Sequence, residues 1–98
     1  MKTPISYLLV ASTELDDAID WYEKKSSGLG SRFNDAVEAL LNQIANQPNL
    51  YPVAIDDVRQ AIVKKFPYTV IFRVFPDAIL VIAIIHTSRD PAIWQSRV

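Results

Sequence analysis

A chain of 98 residues, half of them hydrophobic and 21% charged, has the size of one domain and an ordinary globular composition. Ten Lys and Arg against eleven Asp and Glu leave no whole-molecule attraction to nucleic acid or anionic lipid, so any basic surface must be local. Without cysteine, disulfides, thiol catalysis and Cys-based zinc sites are excluded, and a single His cannot build a His-rich metal site. Folding a chain of this length removes about 65% of its surface from water, enough for a core without staples. The longest apolar run, Ala78 to Ile85, falls far short of the roughly 20 residues that cross a bilayer. Met1 to Tyr7 carry no leader pattern, and the expected location is the cytoplasm.

Ile5 to Ala11, apolar and followed by Ser12-Thr13-Glu14, reads as a first strand. Thr13 with Asp16 three residues on resembles a capping box, and Glu14, Asp16 and Asp17 then complement a helix dipole. Leu15, Ala18, Ile19 and Tyr22 recur on one helical face, and Gly28 suits the residue after a helix end. These features predict a first helix over roughly 13–27. Phe33, Val37, Leu40 and Ile44 form a second stripe that Asn46-Gln47-Pro48 stops. Two amphipathic helices joined by Gly-containing residues form an antiparallel hairpin, because neither buries its stripe alone.

A loop is expected over 48–57, after which the period changes. Val58–Lys65, Tyr68–Phe75 and Ala78–His86 are rich in Val, Ile and aromatics, and Phe66-Pro67 and Pro76-Asp77 separate them as turns. An antiparallel meander follows. Its third strand is apolar on both faces, so it should be central or have its second face covered by a partner chain. Asp90 with Pro91 starts a last helical turn bearing Ile93 and Trp94. The expected fold is a single α+β domain over 1–98, ordered β-α-α-β-β-β, with an antiparallel sheet packed on a helical hairpin.

This order and its punctuation resemble the RelE/ParE family of toxins from type II toxin-antitoxin modules. The likeness spans nearly the whole chain. It rests on Ala18-Ile19-Asp20-Trp21-Tyr22-Glu23, Gly28-Leu29-Gly30-Ser31-Arg32-Phe33, Val58-Arg59, Phe66-Pro67-Tyr68, Ile85-His86, and Arg89-Asp90-Pro91 with Trp94. The resemblance implies a cognate antitoxin whose C-terminal segment wraps the toxin, and one of two mechanisms. RelE-like members are similar to ribosome-dependent mRNA endonucleases; ParE-like members, including plasmid stabilisation proteins, are regarded as DNA gyrase inhibitors. The details of this chain sit nearer the ParE-like branch.

Cleaving a phosphodiester with its own 2′-oxygen needs a base, an acid and fixed positive charge near the phosphorane. The candidates are Arg59, Arg73 and His86. If Lys64 pairs with Tyr68 across the Phe66-Pro67 hairpin, Arg59 lies opposite Arg73, or diagonal to it after a one-residue shift, and the pair could bind phosphate. Alternatively each Arg meets a carboxylate or solvent. His86 should sit near Tyr68 and Lys64, about 16 Å along the strands from Arg73, which argues against a compact nuclease. Lys64, Lys65, Arg89 and Arg97 could gather as a basic rim docking an acidic antitoxin tail, or could be a solvated edge. Trp94 reads as an anchor for the last turn or a stacking platform, and Tyr22 as core. In the Asp16-Asp17-Asp20 cluster, Asp16 and Asp20 share a helix face but no third metal ligand is visible. With no cofactor motif either, none is expected.

The expected function is therefore a toxin that binds a macromolecular target, with Lys64, Lys65, Tyr68, Arg89 and Trp94 as partner-binding candidates. The rival is a ribosome-dependent mRNA endonuclease using Arg59, Arg73 and His86. A non-toxic binding module or homodimer of the same fold is the third reading.

Overall fold

The computed structural model describes residues 2–98. Strand β1 (Ile5–Tyr7) leads into helices α1 (Leu9–Lys25) and α2 (Leu29–Asn46). A 3-10 turn (Pro48–Leu50) then precedes β2 (Val53–Ile55), β3 (Val58–Ile62), β4 (Tyr68–Val74), β5 (Ile79–His86) and the short helix α3 (Ala92–Gln95). The five strands form one sheet ordered β1-β5-β4-β3-β2. The β2–β5 meander is antiparallel, whereas β1 pairs parallel with β5, Ile5 facing Ile79. The expected order of elements is present, with a fifth strand added inside the 48–57 segment and one parallel pairing.

The hairpin buries the stripes expected of it. Phe33, Val37, Leu40 and Ile44 are buried beside Ala18 and Tyr22, and they pack against Val70, Phe72, Ile79, Val81 and Ile84 of the sheet. The ring of Tyr22 lies 5.0 Å from Phe33 and 5.1 Å from Phe66. Gly28 has φ +85 and Gly30 sits so close to α1 that a Cβ there would stand 2.6 Å from the Ile19 carbonyl. The Glu23 carboxylate accepts from the backbone N–H groups of both glycines, at 2.9 and 3.0 Å. It thereby satisfies donors that the first turn of α2 leaves free.

Three local expectations are corrected. First, Leu9 to Ala11 are helical, because Ala11 and Ser12 donate to the Leu8 carbonyl and Ala11 points fully into the core. Short apolar runs do not distinguish strand from helix by period. Thr13 is consequently inside α1, its hydroxyl donating back to the Leu9 carbonyl rather than capping. Second, α1 ends at Ser26 in extended conformation, and left-handed Gly28 belongs to the entry of α2. Third, of the two readings of β5 the interior one holds, since it lies between β1 and β4, and its second face is covered by the chain itself rather than by another. Val58, Ile71, Ile82, Ala83 and Ile85 form an outer cluster closed by Trp94, which is 5% exposed. The start of that last turn is as expected, the Asp90 carboxylate accepting from the Ala92 N–H at 2.9 Å.

Candidate functional site

The register of β3 on β4 decides where the two central arginines go. Val58 faces Arg73 and Arg59 faces Phe72. The loop joining the strands is one residue longer than a Lys64–Tyr68 pairing requires: Val63 donates to the Tyr68 carbonyl, and Lys65 takes a left-handed φ of 70°. A slip of one residue moves a side chain to the other face of a sheet. Arg59 and Arg73 therefore occupy opposite faces, neither opposite each other nor diagonal on one surface.

Both guanidiniums are also engaged. Arg59 donates to the Tyr51 carbonyl at 2.6 Å, holding the segment before β2 against the helix side of the sheet. Arg73 forms an ion pair with Asp57 at 3.0 Å. His86 faces Tyr68, at the far end of β4 from Arg73, with ring centroids 5.5 Å apart. Its Nδ1 accepts from the Ser88 N–H at 3.1 Å, which makes Nε2 the protonated nitrogen of the neutral ring. The three nuclease candidates do not converge on one point.

The rim expected from four basic side chains is divided as well. Arg97 is withdrawn into the structure: it forms two contacts with the Glu14 carboxylate, at 2.9 and 3.0 Å, and donates to the Ile82 carbonyl. Glu14 in turn accepts from the Ile84 N–H. Lys64 and Lys65, with Arg32, border an apolar groove along α2 that includes Leu40, Ile62 and Phe66. Arg89 stands elsewhere, and Trp94 is packed inside the outer cluster rather than presented to a partner.

What the fold does assemble is a cleft of about 500 Å³ between α1 and the C-terminal half of β5, with Glu14, Asp17, Trp21, Tyr68, His86 and Arg89 among its walls. Trp21 is 53% exposed, its ring carrying the Lys25 ammonium 4.8 Å from the centroid. Burial pushes the Tyr68 phenol above its usual range, and the Arg89 guanidinium opposes that rise. Three walls were missed as site candidates from sequence: Glu14 and Asp17, which the sequence assigns to the helix dipole, and Trp21, which enters there only through the Ala18–Glu23 motif, beside the core stripe. The signal available was Trp21's position one residue off that stripe. Among the described residues no cluster of three His, Asp or Glu side chains is placed to hold a metal ion, and no helix is long and apolar enough to cross a membrane.

A short parallel strand, an α-hairpin and an antiparallel meander define the fold of the RelE and ParE toxins. The chain is similar over 87% of its length to a protein of the chromosomal ParDE TA system from P. aeruginosa, covering 96% of that chain with 18% identity and a TM-score of 0.72. A mutant of the E. coli toxin RelE in the free state superposes with a TM-score of 0.71 at 14% identity, covering 98% of this chain and 93% of that one. No curated protein matches. The family model described as ParE toxin of type II toxin-antitoxin system, parDE, matches residues 5–91, and the chain belongs to that family. It is a type II toxin of the ParE/RelE fold.

Proposed function

We propose that this toxin arrests growth by binding a macromolecular target without cleaving it, that the target is DNA gyrase, and that a cognate antitoxin neutralises it. The observation that carries the non-enzymatic part is the dispersal of Arg59, Arg73 and His86. Two of them are on opposite faces and bound to protein groups. The third lies five β4 positions away, about 16 Å, too far to act with Arg73 on one phosphate. Membership of the ParE family supports gyrase as the target, and the ParDE system to which the chain is similar supports the antitoxin.

Induction of the chain alone should arrest growth, and co-expression of the neighbouring gene should restore it. Purified toxin should block DNA supercoiling by gyrase while mRNA in a translating extract stays intact. Codon-positioned mRNA cuts that disappear in Arg73→Ala or His86→Ala would replace this reading with a ribosome-dependent endonuclease. Normal growth with soluble toxin present would leave only a binding module of the same fold.

A further inference from the structure

Four of the ten Lys and Arg side chains hold polar groups of the protein itself: Lys2 at Asn42, Arg59 at Tyr51, Arg73 at Asp57 and Arg97 at Glu14. The other six, Lys24, Lys25, Arg32, Lys64, Lys65 and Arg89, are exposed and form no ion pair among the described residues. They lie in three stretches of sequence, yet the fold brings them to one end. Lys24 and Lys25 close α1. Arg32 stands in the first turn of α2, where the helix dipole disfavours a cation, so helix stability does not account for it. Lys64 and Lys65 belong to the β3–β4 turn, which Phe66 fixes on the hairpin tip with its ring 5.1 Å from both Tyr22 and Phe33. Arg89 follows β5 just after the Thr87 N–H donates to the Pro67 carbonyl of that same turn. The carboxylates among these turns, Glu23 and Asp90, already accept from backbone N–H groups, and Asp20 and Asp35 stand a turn farther back on the helices. At the opposite end the β2–β3 and β4–β5 turns carry Asp56, Asp57 and Asp77. A chain of net charge −1 is thus polarised from end to end, and such a distribution steers a molecule toward a polyanion that its net charge would not attract.

The shape of the basic end selects among polyanions. Phe66 lines the groove along α2 and Pro67 lines the cleft along α1, so their turn is the ridge between the two. Arg32, Lys64 and Lys65 border the first side; Arg89 borders the second, with Lys25 over the Trp21 ring. An acidic peptide lying in one groove would meet one of these rows. Two rows astride a ridge match the two phosphate strands that wall a duplex groove. The major groove of B-form DNA, about 12 Å wide, admits such an element, whereas that of A-form RNA is too narrow. Unpaired strands bind by stacking on exposed rings, and Trp21, the exposed ring at this end, already carries Lys25 on its face. We propose that this end grips the phosphate backbone of double-stranded DNA, the Phe66-Pro67 ridge entering the major groove with Arg32, Lys64 and Lys65 on one wall and Lys25 and Arg89 on the other. The proposal rests on the gyrase reading for where that DNA is met: the toxin binds the enzyme and the duplex it holds together.

The test uses the complete toxin and a short fluorescent DNA duplex. Affinity should fall by about a hundredfold between about 50 and 200 mM salt, as about four phosphate contacts require. Arg32→Glu, Arg89→Glu and the double variant Lys64→Glu with Lys65→Glu should each weaken duplex binding by about tenfold and raise the toxin concentration that blocks supercoiling by a similar factor. Lys2→Glu, away from this end, should do neither. Arg32→Glu should melt no lower than the unaltered toxin, because a carboxylate suits that end of a helix, so its loss of binding is not a loss of fold. Block of supercoiling that is unchanged in all three variants, or a duplex affinity indifferent to salt, overturns the DNA site and leaves the gyrase reading standing. Duplex binding as expected from a toxin that leaves supercoiling untouched overturns the gyrase reading and keeps the DNA site. Tighter binding to a ribo-oligonucleotide or to poly-glutamate than to the duplex overturns the assignment to DNA.

Discussion

The two faces of the sheet are closed by different means. On one side two long helices spread the burial over a dozen interlocked side chains, from Ala18 and Tyr22 to Phe33 and Ile44. On the other, a four-residue helix carries one indole over Val58, Ile71, Ile82 and Ile85, and the partly buried Arg97–Glu14 ion pair fastens the chain just beyond it. Redundant packing tolerates the loss of one member by partial relaxation, whereas a single plug has no neighbour to take its place. The two faces should therefore respond differently to equally large deletions.

Phe33→Ala should cost about 3–5 kcal/mol as a cavity in the main core. Chemical denaturation should show this as a lower midpoint with an unchanged slope. Trp94→Ala removes a side chain of similar size and should cost a comparable amount, but it also uncovers the outer apolar cluster. Binding of a hydrophobic dye to the still-folded protein should separate it from Phe33→Ala. If Trp94→Ala behaves like the core variant in both measurements, the contrast between the faces is wrong.

Arg97→Ala should come next, at about 1–3 kcal/mol, because it strips the Glu14 carboxylate and the Ile82 carbonyl of a charged donor. Glu14→Gln with Arg97 intact should lose less, since an amide oxygen can still accept from the Ile84 N–H. Alkaline titration probes the helix side instead. Tyr7, Tyr22 and Tyr68 all have phenol groups raised above 10 by burial. The unfolded chain then releases these protons first, so stability is fully present below pH 10 and falls as the pH rises through the higher folded values. A melting temperature that stays flat between pH 9 and pH 11 would contradict this. The smallest effect is expected from Arg73→Ala, below about 1 kcal/mol, because its partner Asp57 is exposed.

Much of the helix side was legible in the sequence. The stripes Leu15-Ala18-Ile19-Tyr22 and Phe33-Val37-Leu40-Ile44 are set by the 3.6-residue period, which local sequence carries in full. Trp94 as an anchor was legible for a similar reason, since Asp90-Pro91 marks the start of its turn. The register of β3 on β4 was not, because it depends on whether the loop before Tyr68 holds one residue more, and Lys65 in a left-handed conformation is not announced by its side chain. Strand β2 was hidden because all three of its residues are exposed and carry no burial pattern. The candidate cleft was only partly visible. His86 and Tyr68 could be placed together by counting from the turn, but Glu14 and Arg97 meet across 83 positions, a separation that no local pattern announces.

That separation also sets an order of events during synthesis. Glu14 emerges early and waits for Arg97, which at about 5–20 residues per second means about 4–17 s before their link can form. The parallel pairing of β1 waits almost as long for its mate. During that interval the hairpin is available and the sheet it must cover is incomplete, so a nascent copy has no finished surface with which to act on its host. The fold is completed last from pieces made first, and its finished surface is deferred by the geometry of its own chain.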